Sequence, residues 1–354
     1  RVRNRMLKPS TTKLNGRRPV TLQQIAEKAD VSPAAVSKAL SGRPDIAPRT
    51  RARIKKIAQE MGYTVNIAAR TLAMNRTMTL GVIVPFPKNP TVVDRLRGIQ
   101  AAALEKDYLT IMSFHDGQHA DELKQIGLMT KRVDGLIISP VSQTQDVAVA
   151  LERLNVPVVC MSEPLLGVET DFVGGDERMG GRLLAEHLVR QGCQRLAYFG
   201  AFISVYSDQA VLQGIRDVLS DSPRKLAFLG ENTTWENTTR EQTVKNLNKV
   251  LEGESKPDAI LSFCDQTSFW IYRELAARGC KVPQDIALCG YDNNEISDIA
   301  AIPLTSVSQP NYEVGRQAGR LLIERLSDVK AGSACRRVVY SPELIARMST
   351  AREK

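Results

Sequence analysis

The sequence predicts an α-helical bundle joined by a short linker to a two-lobed α/β domain. Three observations carry this. Residues 20–65 hold short segments of helical period separated by a tight turn. From Met78 onward, apolar runs of strand length alternate with amphipathic stretches of helix length. Positive charge is confined to one end: residues 1–76 carry 17 Lys+Arg against 4 Asp+Glu, while the remainder of this 354-residue chain of net charge +9 is slightly acidic.

Residues 1–19 (RVRNRMLKPSTTKLNGRRP) are basic, lack any acidic residue and hold few apolar side chains. They are expected to form a disordered basic extension, for which phosphate contact and an inert role both fit. Thr21 caps a first helix on which Leu22, Ile25 and Ala26 share a face. Ala29-Asp30-Val31 makes the turn, with Asp30 at a left-handed position that Asp tolerates. Ser32 caps a second helix with Pro33 in its first turn, where proline is permitted. Val36 and Leu40 then face inward, and Pro33, Ala34, Ser37 and Lys38 point away. A third helix, Pro48–Met61, sets Ile54, Ile57, Ala58 and Met61 at core spacing and closes the bundle. Helix, tight turn and helix is the arrangement of a DNA-reading helix-turn-helix, and phosphate binding requires positive charge where this chain has it.

Residues 66–77 form a linker whose stretch Asn66–Ala73 is too short for a stable lone helix. In 78–346, Leu80–Val84, Leu109–Ser113, Gly135–Ser139 and Val156–Met161 read as buried parallel strands. Between them lie Val92–Lys106, Ala120–Lys131 and Gln145–Leu154. A second set has strands Leu196–Phe199, Ala259–Phe263 and Ile286–Gly290, interleaved with helices Met179–Gln191, Ser207–Leu219, Glu241–Leu251 and Thr267–Arg278. Two doubly wound halves of similar make-up imply two α/β lobes with a cleft between them. Residues 347–354 read as a short polar tail. The six cysteines show no CxxC pair and mostly sit in or beside apolar runs, as buried small hydrophobes of a reducing compartment do. No run approaches the length of a membrane span and the N-terminus lacks the apolar core of a signal peptide, so a soluble cytoplasmic protein with no membrane partner is expected.

The run TLQQIAEKADVSPAAVSKALSG, followed by RTRARI, MGYTVN and AARTLA, resembles the headpiece of the lactose-repressor family of bacterial transcription regulators. DGLIIS, GGRLLAEHLVRQGCQRLAYFG, VPQDIALCGYDN and PLTSVSQP extend the resemblance to about residue 346. The resemblance implies a helix-turn-helix headpiece joined by a hinge helix to a periplasmic-binding-protein-like domain. It further implies a ligand-responsive regulator, most simply a repressor, binding a palindromic operator as a homodimer. By that likeness the chain crosses between lobes near 177, 308 and 338, and the hinge pairs on the operator with Leu72 wedged into the minor groove. Asn66 and Ala69 of the same segment join it as DNA contacts. Asp30 stands where the family usually has Gly, a costlier turn with no change of fold.

For reading DNA, Ser32, Pro33 and the second helix would enter the major groove. Ala34 and Ala35 suit thymine methyls but cannot make bidentate hydrogen bonds. Lys38 is the one long donor on the exposed face, open to a guanine or to a phosphate; Ser37 and Thr21 fit phosphates. For the effector, Asp292 follows an apolar run where α/β strands present ligand contacts, and the family has a ligand-binding Asp there. Asp265 reads either as a ligand contact or as a helix cap. Asn89, Ser207 and Trp235 complete the expected cleft, Trp235 as a ring-stacking aromatic. The position of a sugar-binding Arg in the family holds Val211, and the aromatics expected after Asn89-Pro90 are Thr91 and Val92. A sugar or sugar derivative remains the expected effector, with a purine or an unusual metabolite as alternatives.

A small-molecule receptor without regulatory DNA contact is the main rival, and the basic bundle argues against it. Enzyme chemistry has no local support. Gly174-Gly175 to Gly180-Gly181 lacks the GK[ST] of a phosphate loop and reads as a packing feature. His115 and His119 have metal-like spacing, but Gly117 intervenes and no matching glutamate accompanies them. No catalytic residue, metal site or cofactor is expected.

Overall fold

The computed structural model describes residues 20–40, 45–63, 76–85, 89–200, 206–220, 223–228, 239–253, 255–327 and 334–352. The extension 1–19, the hinge positions Asn66, Ala69 and Leu72, and Trp235 lie outside them. The chain forms two units, Arg1–Asn75 and Arg76–Lys354.

In the first unit, α1 (Leu22–Ala29), α2 (Pro33–Leu40) and α3 (Pro48–Glu60) enclose Ile25, Ala26, Ala29, Val36, Ala39, Ile54 and Ala58. Thr21 begins α1 with a reciprocal cap: its Oγ1 accepts from the Gln24 N–H, and Gln24 Oε1 accepts from the Thr21 N–H at 3.0 Å. Asp30 is left-handed, with φ 50°, and its N–H closes the helix. On α2 the fully buried pair is Val36 and Ala39, with Leu40 packed at the margin. Leu40 is the last residue of α2 and meets the core at the helix end.

In the second unit, lobe 1 begins with β1 (Thr79–Pro85), α4 (Pro90–Leu104), β2 (Leu109–His115), α5 (His119–Met129), β3 (Gly135–Ile138), α6 (Gln145–Arg153), β4 (Val158–Met161) and β5 (Asp171–Gly175). Lobe 2 holds α7 (Glu177–Arg190), β6 (Arg195–Phe199), α8 (Tyr206–Leu219), β7 (Lys225–Phe228), α9 (Arg240–Glu252), β8 (Ala259–Ser262), α10 (Asp265–Ala277), β9 (Ala287–Tyr291), α11 (Ile296–Ile299) and β10 (Thr305–Ser308). The chain returns to lobe 1 with α12 (Asn311–Ser327) and β11 (Arg337–Tyr340), then ends in lobe 2 with β12 (Glu343–Ile345). The sheets run β11-β5-β4-β3-β1-β2 and β12-β10-β9-β8-β6-β7, parallel except for β12 against β10. Crossings therefore fall after Gly175, Ser308 and Tyr340, the last slightly later than expected.

Each lobe is covered by one close helix pair that depends on glycine. A Cβ on Gly98 or Gly315 would collide with the backbone of the facing helix in the α4–α12 pair; Gly181 and Gly214 play the same part between α7 and α8. Gly180 leaves room for the Tyr291 phenol. The Gly174–Gly181 run is thus a packing feature, as its sequence implied. Reading the sequence by periodicity overlooks α11, α12 and the strands β5, β7, β10, β11 and β12, all short or glycine-bearing except α12. Residues 347–352 are not a free tail. Ser349 Oγ donates to the Leu288 carbonyl at 2.6 Å and accepts from the Thr305 N–H at 2.8 Å, while Arg347 donates to Asn293 Oδ1 and the Leu304 carbonyl. Polar composition mimics a tail, but here it supplies hydrogen bonds to the edge of lobe 2. Among the described residues no helix is long and apolar enough to cross a membrane.

Candidate functional site

Two sites emerge, one in each unit. The first is the outer face of α2. Ser32 Oγ accepts from the Ala35 N–H at 3.2 Å and so caps α2. Ser32, Pro33, Ala34, Ser37 and Lys38 are exposed, as is Thr21 at the start of α1. Ala35 is only half-exposed, so Ala34 is the better-placed apolar contact. Lys38 is not a bare donor: its Nζ lies 2.7 Å from Asp45 Oδ2, both side chains remaining about half exposed. An exposed pair of this kind contributes little stability, so Lys38 can leave it at little cost.

The second is a cavity of about 120 Å³ between the lobes, at the carboxyl ends of their strands. Lobe 1 brings Asn89 and Arg95 from α4 and Ser162 and Glu163 from the end of β4. Lobe 2 brings Glu177, Ser207, Phe263, Tyr291 and Asp292. Gln309, on the segment that crosses after β10, joins them. Asn89 caps α4 by accepting from the Thr91 N–H at 3.0 Å. Arg95 Nε donates to Asn311 Oδ1 at 2.8 Å, directing a guanidinium into the cavity. Glu177 Oε2 accepts from the Tyr291 hydroxyl at 2.6 Å and from Gln309 Nε2 at 2.7 Å. Glu163 Oε2 accepts from the Ser207 N–H at 3.2 Å, a bond from lobe 1 to the first turn of α8 in lobe 2. Ser162, left-handed at φ 66°, buries an Oγ that has no partner among the described residues.

Electrostatics here are dominated by burial. Glu163 is pushed up to about 8 by desolvation, with the charge of Glu177 adding to it. Asp292 is raised well above its ordinary value by burial and by Asp265, opposed by Arg95 and Asn89. Its φ of 109° turns the chain at the mouth of β9.

Asn89, Ser207 and Asp292 therefore meet at one cavity. Two expected members do not. Val211 is fully buried among Leu184, Leu188 and Ile215, on the side of α8 turned to α7, and its branched side chain stops in that core. Asp265 is also fully buried and is neither a cavity residue nor a side-chain cap of α10. Its carboxylate accepts from Ser297 Oγ and Ser306 Oγ, both at 2.6 Å, and from the Asn294 N–H at 2.8 Å, so it ties the loop after β9 to β10. Gly290 makes space for it. The cleft's guanidinium comes instead from Arg95. Arg95, Glu163, Glu177 and Gln309 were not singled out from sequence; their nearest signal is position, at a helix start or a strand end. His115 and His119 diverge, His115 Nδ1 accepting from the Gly117 N–H and His119 pairing with Asp146 at 2.8 Å. Among the described residues no cluster of three potential metal ligands occurs. Cys160, Cys193 and Cys289 are buried, but Cys335 is exposed.

Comparison with known proteins follows the same division. A family model described as "Bacterial regulatory proteins, lacI family" matches residues 21–66, and one described as "Periplasmic binding protein-like domain" matches 185–350. Catabolite control protein A of Staphylococcus xylosus is 28% identical over 320 residues, covering 87% of this chain and 93% of its own. The HTH-type transcriptional repressor CytR of Escherichia coli is 29% identical over 337 residues, covering 93% and 96%. The lac repressor dimer bound to operator and the anti-inducer ONPF superposes with a TM-score of 0.79 at 25% identity, covering 94% of this chain and all of that one. The complex of the transcriptional regulator CelR with cellobiose gives 0.69 at 25% identity, covering 93% and 99%. With one match on each unit and relatives aligned over nearly their whole length, the chain belongs to the lacI family of bacterial regulatory proteins and is a DNA-binding transcription regulator.

Proposed function

We propose that this regulator is a cytoplasmic repressor that binds a palindromic operator as a homodimer, its affinity set by a small hydroxyl-bearing molecule in the interlobe cavity. The observation that carries this is the cavity itself, lined from both lobes by polar groups of which Ser162 Oγ has no partner among the described residues. A ligand bound by both lobes stabilises one arrangement of them, and by linkage alters operator affinity. Lys38 and Ala34 read bases, Thr21, Ser32 and Ser37 hold phosphates, and Asn66, Ala69 and Leu72 form a hinge that enters the minor groove at the operator centre. Two-fold symmetry of the protein requires a palindromic site. Lobe 1 offers a surface for pairing: edge strand β2 exposes Leu109, Ile111 and Phe114, and α4 exposes Val93 and Leu104. The relatives' names support the same reading, through a dimer on operator and a regulator with cellobiose.

The test is selection of binding sites from a random duplex pool by the full chain, followed by anisotropy titration with Leu72→Ala and Lys38→Ala. A symmetric site, bound less tightly by Leu72→Ala and with relaxed preference at one symmetric base pair in Lys38→Ala, is expected. Recovery of only asymmetric, salt-driven binding would overturn the reading.

A further inference from the structure

The cavity is rich in carboxyl groups. Glu163, Glu177 and Asp292 line it from three separate elements, and Arg95 is the only cationic side chain among its described lining residues. These acids are near enough to act on one another: Glu177 acts on both Glu163 and Asp292. Internal donors satisfy them only in part. Glu177 receives the Tyr291 hydroxyl and Gln309, Glu163 is held by Ser207, and Arg95 already spends its Nε on Asn311. Buried Ser162 Oγ, with no partner among the described residues, belongs to the same lining. A site of this kind has surplus acceptors and a deficit of positive charge, in a medium where like charges repel strongly.

Resting on the reading of this cavity as the effector site, we propose that the effector is a hydroxyl-bearing organic cation, an amino sugar or a related amino polyol, whose ammonium group sits among Asp292, Glu163 and Glu177. Its hydroxyls meet Ser162 Oγ and Arg95. An ammonium donates three hydrogen bonds and accepts none, which matches the acceptors left over. A phosphate or carboxylate ligand would add charge of the wrong sign beside three acids. The raised positions of Glu163 and Asp292 agree with this, because the site without a ligand takes up protons that a bound cation would release.

The experiment compares matched probes on the full chain at pH 7 by thermal unfolding and calorimetry: glucosamine, galactosamine and mannosamine against glucose, galactose and mannose, with glucose 6-phosphate and gluconate as anions. At least one amino sugar should raise Tm and bind tenfold or more tightly than its neutral counterpart. Asp292→Asn should remove that preference while leaving the weaker neutral binding; Asn tolerates the left-handed backbone there. If that variant does not fold, Glu163→Gln serves the same comparison. A neutral sugar that binds as well as its amino counterpart, or an anion that binds best, overturns the charge proposal while the effector reading stands, provided Arg95→Ala abolishes the binding. If no amino probe binds, the proposal falls; silence in all three arms counts against the effector reading as well.

Discussion

Lobe 1 and lobe 2 repeat one strand order and one glycine-bridged helix pair, and each encloses one buried acid in donors of its own, but lobe 1 leaves a second to be met from across the cleft. In lobe 2, Asp265 is enclosed by three donors of its own lobe and serves structure. In lobe 1, Glu122 does the same by accepting from the Val141 and Ser142 N–H groups at 2.9 and 3.1 Å. Glu163 differs: equally buried in lobe 1, it takes its bond from the opposite lobe and faces the cavity. Asp265 and Glu122, enclosed by donors of their own lobes, hold the fold, whereas Glu163, met from across the cleft, joins the two lobes at the cavity.

The largest effect expected from this contrast is a pH effect. Glu163 has its folded-state value raised from 4.5 to about 8, so its protonated form is favoured in the folded protein. That stability is fully present below pH 4.5 and is lost as pH rises through about 8, a total of roughly 3–5 kcal/mol. Glu163→Gln should flatten the decline in urea-determined stability across this window; an unchanged slope would show that the residue is solvated. Next come the helix pairs. Gly315→Ala and Gly181→Ala should each cost about 3 kcal/mol, because the new Cβ meets backbone, which cannot swing aside as a side chain can. Unequal losses would show that the lobes are less alike than their topology. Asp265→Ala and Glu122→Ala should each cost roughly 2 kcal/mol through unpaired donors, without changing ligand affinity at fixed fold. A selective loss of ligand binding in Asp265→Ala would return that residue to the site. The smallest effect on folding, within about 0.5 kcal/mol, is expected for Ile111→Ser on the exposed edge of lobe 1. Its signature is instead a shift toward monomer in sedimentation, and an unmoved dimer would exclude this edge from the interface.

Much of the fold was legible because it rests on short-range rules. The Thr21–Gln24 cap, the left-handed Asp30 and the apolar strand cores involve residues within a few positions of one another. The helix Asn311–Ser327 had the same signal, with Val314, Ala318, Leu321 and Leu322 on one face after Pro310, and was overlooked rather than hidden. The cavity was legible only in part. Asp292 could be placed because it follows a strand end, but the same argument applied to Asp265 failed. Both follow buried strands; which one opens to the cleft depends on Gly290 admitting the Asp265 side chain beneath the loop. Arg95 and Glu163 have no distinguishing neighbours in the chain.

What the sequence determined by itself is therefore the alternation of strand and helix through most of both lobes, the helix-turn-helix with its exposed Ser37 and Lys38, and the division into two lobes, all set by local hydrogen bonding and by hydrophobic period. Only the tertiary structure decided which acids face the cavity, that Val211 belongs to the core, that Arg347 and Ser349 brace lobe 2, and that Asp45 holds Lys38. The reason is geometric: a chain that crosses between lobes three times brings residues from positions 89 to 311 to one cavity, and no local pattern encodes their meeting.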